Sequence, residues 1–235
     1  MTRITLILLC LIAGSVQADT FAYGRDGTTE ALDVSVRGGA DSTTNFYDQL
    51  QLRNHITRSD TTATYQTSFI WFDCATDISG ATVDSAFLTL QPDVIDGDPG
   101  TDTLLIIRRM LVAWTHNQAT ARNRQTSTPW NAFGGWGAGT DYTTTGQVSK
   151  DIGAVETDVR YDVTTIVQAW ADGSSNYGFG VYGGGNAGII AQLYAADNGT
   201  QAARPLLTIY TSAGGPPASG GNVIRKGTIR KGVIR

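Results

Sequence analysis

Val83-Asp84-Ser85-Ala86-Phe87-Leu88-Thr89-Leu90-Gln91 decides the fold class. Ala86, Leu88 and Leu90 fall on alternate positions, the period of two that puts a strand's apolar side chains on one face. Just upstream, Tyr65 to Phe72 is a fuller apolar run, the pattern of a strand covered on both faces. Leu32, Val34 and Val36 alternate with polar residues, as do Leu50 and Leu52. Further strand-like segments follow at Thr103 to Val112, Gly178 to Tyr182, Ile189 to Tyr194 and Leu206 to Tyr210. Spacers such as Gly38-Gly39 and Gly183-Gly184-Gly185 are turn chemistry. Many short strands punctuated this way predict an all-β chain, a jelly-roll β-sandwich.

One segment departs from that period. Val163, Ile166, Val167 and Trp170 recur at i, i+3, i+4 and i+7, a single helical face. Asp162 stands where an N-cap belongs and Gly173 closes the run, so the spacing predicts a short helix with Trp170 turned into the core. Trp71 and Trp114 sit on apolar segments and read as core residues too. Thr115 to Gly153 has little periodicity and holds Trp130, Phe133, Trp136 and Tyr142 among glycines. It reads as a long functional or self-ordered loop.

The composition agrees with β structure. The chain has 235 residues, of which 28 are Gly and only 16% are charged. Apart from Glu30 and Glu156 every acidic residue is Asp, which argues against a coiled coil or long-helix bundle. Residues 19–222 carry 21 acidic and 11 basic side chains, whereas 223–235 carry five basic ones and no acid. An acidic body of net −10 argues against nucleic acid as a partner.

At the start, Arg3, the apolar run Ile4 to Gly14 and the small residues of Val16-Gln17-Ala18 read as a signal peptide cut before Asp19. The expected localisation is secreted: extracellular, cell-surface or periplasmic. Cleavage removes Cys10 and leaves Cys74 as a buried small hydrophobe without an internal disulfide partner. The run is too short to span a bilayer. The organisation expected is signal peptide 1–18, sandwich 19–211, a Gly/Pro/Ser linker 212–222 and a basic tail 223–235.

Several segments, in this order, resemble the DNRLRE family of secreted β-sandwich modules. They are Ser68 to Asp73, Val83 to Leu90, Arg109 to Trp114, Trp130 to Asp141, Tyr161 to Thr164, Val167 to Trp170, Asn176 to Phe179 and Arg204 to Leu207. That family is related to disaggregatase repeats and carbohydrate-binding modules. The resemblance implies a non-catalytic sandwich that binds polysaccharide, and some relatives bind acidic ones such as alginate or are attached to enzymes. Where members often carry Ala-Thr-Trp-Asn, this chain has Ala119-Thr120-Ala121-Arg122-Asn123, with Ala121 in the Trp position.

Aromatic faces stack on sugar rings and arginine forks pair with carboxylates. Trp130, Trp136 and Tyr142, with Arg122 and Arg124 just upstream, are therefore the candidate carbohydrate-binding residues. The alternative for Trp130 and Trp136 is that they fold inward and pin the loop. Asp93, Asp96, Asp98 and Asp102 place four carboxylates within ten residues, a candidate site for structural calcium. His55 and His116 are the only histidines and neither lies in a Gly-x-Ser-x-Gly setting, so the chain reads as a non-enzyme.

The tail repeats Val-Ile-Arg-Lys-Gly, Thr-Ile-Arg-Lys-Gly and Val-Ile-Arg. Ile224, Arg225, Lys226, Ile229, Arg230, Lys231, Ile234 and Arg235 read as an interaction arm. It would add to another subunit's sheet edge or dock on an anionic surface. The alternative function is accordingly a structural protein that assembles through this arm into a surface layer, filament or virion part.

Overall fold

The computed structural model describes residues 18–25, 31–47, 51–55, 66–96, 104–152, 158–184 and 190–212. The signal peptide before Ala18, the linker beyond Ser212 and the whole interaction arm lie outside the described residues, as do Asp98 and Asp102. The chain is an all-β sandwich, with one short α-helix among the described residues. Among the described residues every pairing between these strands is antiparallel.

One sheet has four strands: β1 (Asp19–Tyr23), β14 (Leu206–Thr211), β5 (Val83–Leu90) and β11 (Val159–Asp162), in that order. The other has five: β10 (Tyr142–Asp151), β7 (Leu104–Met110), β12 (Phe179–Gly184), β4 (Gln66–Phe72) and β2 (Ala31–Arg37). A smaller sheet joins β3 (Gln51–His55), β13 (Ile190–Tyr194) and β6 (Pro92–Asp96). The pair β8 (Asn123–Gln125) and β9 (Thr128–Pro129) decorates the long loop.

The alternation in β5 does what it predicts. Ala86, Leu88 and Leu90 are fully buried against Ile70, Phe72, Leu105, Ile107, Phe179 and Val181 of the five-stranded sheet. The helix α1 (Thr164–Ala171) closes one end of this core with Ile166, Val167 and Trp170. Its first turn is tied by Asp162, whose Oδ1 accepts the Thr164 N–H at 3.0 Å and the Thr164 hydroxyl at 2.6 Å. The N-cap position itself falls on Val163, one residue later than the sequence suggests. Gly173 turns the chain away with φ +98°.

The five-stranded sheet is covered on its second face as well. Val34, Val36, Phe69, Met110 and Tyr182 point outward there and are buried under Ala119, Ala121, Trp130 and Tyr142. The aperiodic region is thus a second layer, and this explains why β4 reads as apolar throughout. The strand β10 lies within this region and goes unpredicted by the sequence pattern. It is an edge strand, mostly exposed beyond Tyr142, and its Thr-rich stretch carries no apolar alternation.

Candidate functional site

Trp130 is 5% exposed, stacks on Phe69 at 4.7 Å between centroids, and donates its indole N–H to the Thr120 carbonyl. Tyr142 is 7% exposed, with its ring under the Arg108 guanidinium at 4.3 Å. Both rings fill the covering layer; as open stacking faces they are corrected, because the sheet beneath them consumes their apolar surface. Trp136 is half-buried, edge-on to Tyr182 at 4.9 Å, with its N–H on Thr67 Oγ1 at 2.9 Å. Arg122 is exposed and reaches Ser42 Oγ at 3.2 Å, while Arg124 Nη1 donates to the Ala113 carbonyl at 2.7 Å. None of these five residues lines either of the two clefts described below.

A carboxylate holds this layer in shape. Asp141 is fully buried and accepts the backbone N–H groups of Asn131, Ala132 and Gly137 at 2.9, 2.8 and 3.0 Å. Three such bonds satisfy a buried polar group that would otherwise be costly to enclose.

The covering layer ends short of Trp71. That residue shares the outer face of β4 with Phe69, opposite Leu32 of β2, but it is half-buried. Beside it lies Trp114, also half-buried, and the two indoles form walls of a cleft of about 230 Å³. Their N–H groups are already engaged: Trp71 Nε1 donates to the Asn176 carbonyl at 3.1 Å and Trp114 Nε1 to the Tyr177 carbonyl at 2.8 Å. Each ring is therefore held in orientation while part of its surface stays open. The placement of these two tryptophans in the core is corrected; of the three indoles expected there, Trp170, at 2% exposure, is the one that is fully enclosed.

Local structure builds the remaining walls. Asn176 Nδ2 donates to the Phe72 carbonyl at 2.8 Å and its Oδ1 accepts the Gly178 N–H, which fixes the turn carrying Tyr177. Gly178 has φ +77°, and a Cβ there would meet the Ile70 carbonyl at 2.3 Å, so only glycine lets this turn lie on Trp71. On the opposite side Asn45 Nδ2 donates to the His116 and Ala119 carbonyls at 2.8 and 2.6 Å. The His116 ring meets the exposed Tyr47 ring edge-on at 5.8 Å, which extends the aromatic rim.

The candidate calcium loop is only partly visible. Asp93 lies in β6, hydrogen-bonded to the Tyr194 hydroxyl and raising that phenol above its ordinary pKa, and Asp96 ends the strand. Among the described residues no three His, Cys, Asp or Glu side chains come close enough to hold a metal. No helix among them is long and apolar enough to cross a membrane. Cys74 is fully buried, and burial first, then the nearby Asp73 and Asp77 carboxylates, push its thiol pKa up.

Neither a family model nor a curated protein matches the chain.

Proposed function

We propose that this protein is an exported, non-catalytic module that binds polysaccharide, and that a sugar ring stacks in the Trp71–Trp114 cleft. The observation that carries the reading is the pair of indoles: both are locked by backbone hydrogen bonds, and both keep ring surface open to one cleft. Ring orientation fixed before binding lowers the entropy cost of capture. A volume of about 230 Å³ lies below the ~300–1,000 Å³ of drug-sized pockets and suits a single ring of a longer chain. Thr115, His116 and Tyr177 add polar groups at the edge of the stacking surface. The non-catalytic part rests on the sequence, in which His55 and His116 are the only histidines and neither lies in a Gly-x-Ser-x-Gly setting. The secreted placement rests on the signal-peptide pattern of Arg3 to Ala18.

The test is binding of the full chain to an array of polysaccharides, repeated with Trp71→Ala, Trp114→Ala and Trp136→Ala. Wild type and Trp136→Ala are expected to bind the same glycan. Trp71→Ala and Trp114→Ala should each weaken it by roughly tenfold or more, the scale of one lost aromatic contact. Undiminished binding by both cleft variants overturns the site, and release of soluble sugar overturns the non-catalytic reading.

A further inference from the structure

Strand alternation sends Arg108 and Arg109, neighbours on β7, to opposite faces of the sheet. Leu105 and Ile107, on the same face as Arg109, are fully buried in the central core. Arg109 continues that row as a half-buried cation. Among the described residues its guanidinium makes no hydrogen bond or ion pair. A guanidinium set against an apolar core without a partner is costly unless the space before it is open to water or to an anion.

That space is opened by a bulge. Thr143 pairs with Arg109 and Val148 with Ile107, so residues 144–147 of β10 stand opposite Arg108 alone, and three surplus residues interrupt the ladder next to Arg109. Within them Gly146, at φ +74°, rests on α1, where an added Cβ would lie 2.9 Å from Thr165 Cγ2. A cleft of about 430 Å³ remains, walled by Arg109, Thr145 of the bulge, and Thr164, Thr165, Gln168 and Asp172 around the helix. The acidic member of this wall is engaged elsewhere: Asp172 Oδ1 accepts Gln168 Nε2 at 2.8 Å and is not within ion-pair distance of Arg109. The Thr164 hydroxyl is likewise spent on Asp162.

We infer that this second cleft binds a carboxylate group, with the Arg109 guanidinium as its charge partner and the Thr145 and Thr165 hydroxyls as neighbouring donors. A planar fork of N–H donors matches the two oxygens of a carboxylate, and a charge-assisted pair of this kind is among the stronger hydrogen-bonded contacts. The site lies on the inner face of β7, whereas the tryptophan cleft lies on the outer side of the same sheet. It therefore goes beyond the sugar-stacking reading and stands or falls separately.

Two sources carry this chemistry: a free carboxylic acid, and a carboxylate borne on a sugar. The experiment follows the Arg109 Nε–Hε resonance of the full 15N-labelled chain while sodium acetate or sodium galacturonate is added. Sodium chloride and methyl galactoside serve as the ionic and neutral controls. The expected result is a saturable shift with at least one carboxylate and none with either control. Equal affinities for the two identify a free carboxylate as the ligand, and tighter galacturonate binding identifies the sugar-borne form. Arg109→Gln, followed through neighbouring backbone amides, should weaken binding by ~10-fold or more. Arg109→Lys keeps the charge but not the fork and should bind more weakly than wild type. Trp114→Ala should leave the titration unchanged. No saturable shift with either carboxylate, or undiminished binding by Arg109→Gln, overturns the inference.

Discussion

Asp33 should make this protein less stable as the solution becomes less acidic, over a window set by one carboxyl group. It lies in β2 at 6% exposure and accepts the Ala196 backbone N–H. Burial raises its pKa from 3.8 to about 7; the hydrogen bond from Ala196 opposes that rise and the Asp197 charge adds to it. Between those two values the folded chain holds a proton that the unfolded chain has released. Stability contributed by this group therefore falls with rising pH, from no effect below 3.8 to a full penalty above about 7. At 1.36 kcal/mol per pKa unit the penalty is about 4 kcal/mol, a large part of the ~5–15 kcal/mol by which domains are stable. Asp33→Asn keeps an oxygen for the Ala196 N–H and cannot ionise. Urea unfolding followed by tryptophan fluorescence, at pH 4 to 8, gives the difference between variant and wild type. Asp33→Asn should be close to wild type at pH 4 and gain on it steadily to pH 7. A difference that stays flat, or one that favours wild type as pH rises, refutes the reasoning.

Three further outcomes follow from single groups. Asp141→Ala leaves the N–H groups of Asn131, Ala132 and Gly137 without their acceptor, at about 1–3 kcal/mol each. Limited proteolysis should then cut between residues 131 and 141, where wild type resists. Gly178→Ala forces a Cβ onto the Ile70 carbonyl at φ +77° and should lower stability by more than ~1 kcal/mol in a thermal melt. Cys74, buried with its thiol pKa raised, should resist a thiol reagent in the folded protein and react fully in urea, with peptide mapping to separate it from Cys10.

Period two in β5 and the helical spacing of Val163 to Trp170 were readable because each segment buries one face against one core. The tryptophans were harder, and for a physical reason. An apolar run such as Tyr65 to Phe72 says that both faces of β4 meet apolar neighbours, but not how far a cover supplied by residues 111–142 extends. Phe69 lies under that cover and Trp71, two residues on along the same face, lies beyond its edge. Trp130 and Trp136 sit among glycines, which looks like an open loop; yet Gly135 is where the chain comes down on Phe69, and an added Cβ would lie 2.8 Å from that ring. A signal for the cleft was present in Asn176-Tyr177-Gly178, since an Asn two residues before a glycine marks an Asx-type turn, but not which indole it would rest upon.

Arg108 and Arg109 show how one strand can serve two ends. Arg108 is enclosed on the outer face, 4.3, 4.8 and 5.9 Å from the ring centroids of Tyr142, Tyr182 and Trp136, with its Nε donating to Gln147 at 2.8 Å. Its Nη1 is buried without a hydrogen-bond partner, so aromatic faces take most of the work of a counter-charge there. The same residue, Gln147, belongs to the bulge that clears space before Arg109 on the other face. A regular β10 ladder would pair residues one for one with β7 and draw the bulge into line, closing the cleft before Arg109. The irregular register thus holds one cation inside the fold and leaves its neighbour facing an opening. In a body of net −10, a cation kept without an acidic partner is better explained by an incoming anion than by packing, since any of the 21 acidic side chains between 19 and 222 could have served a purely structural role.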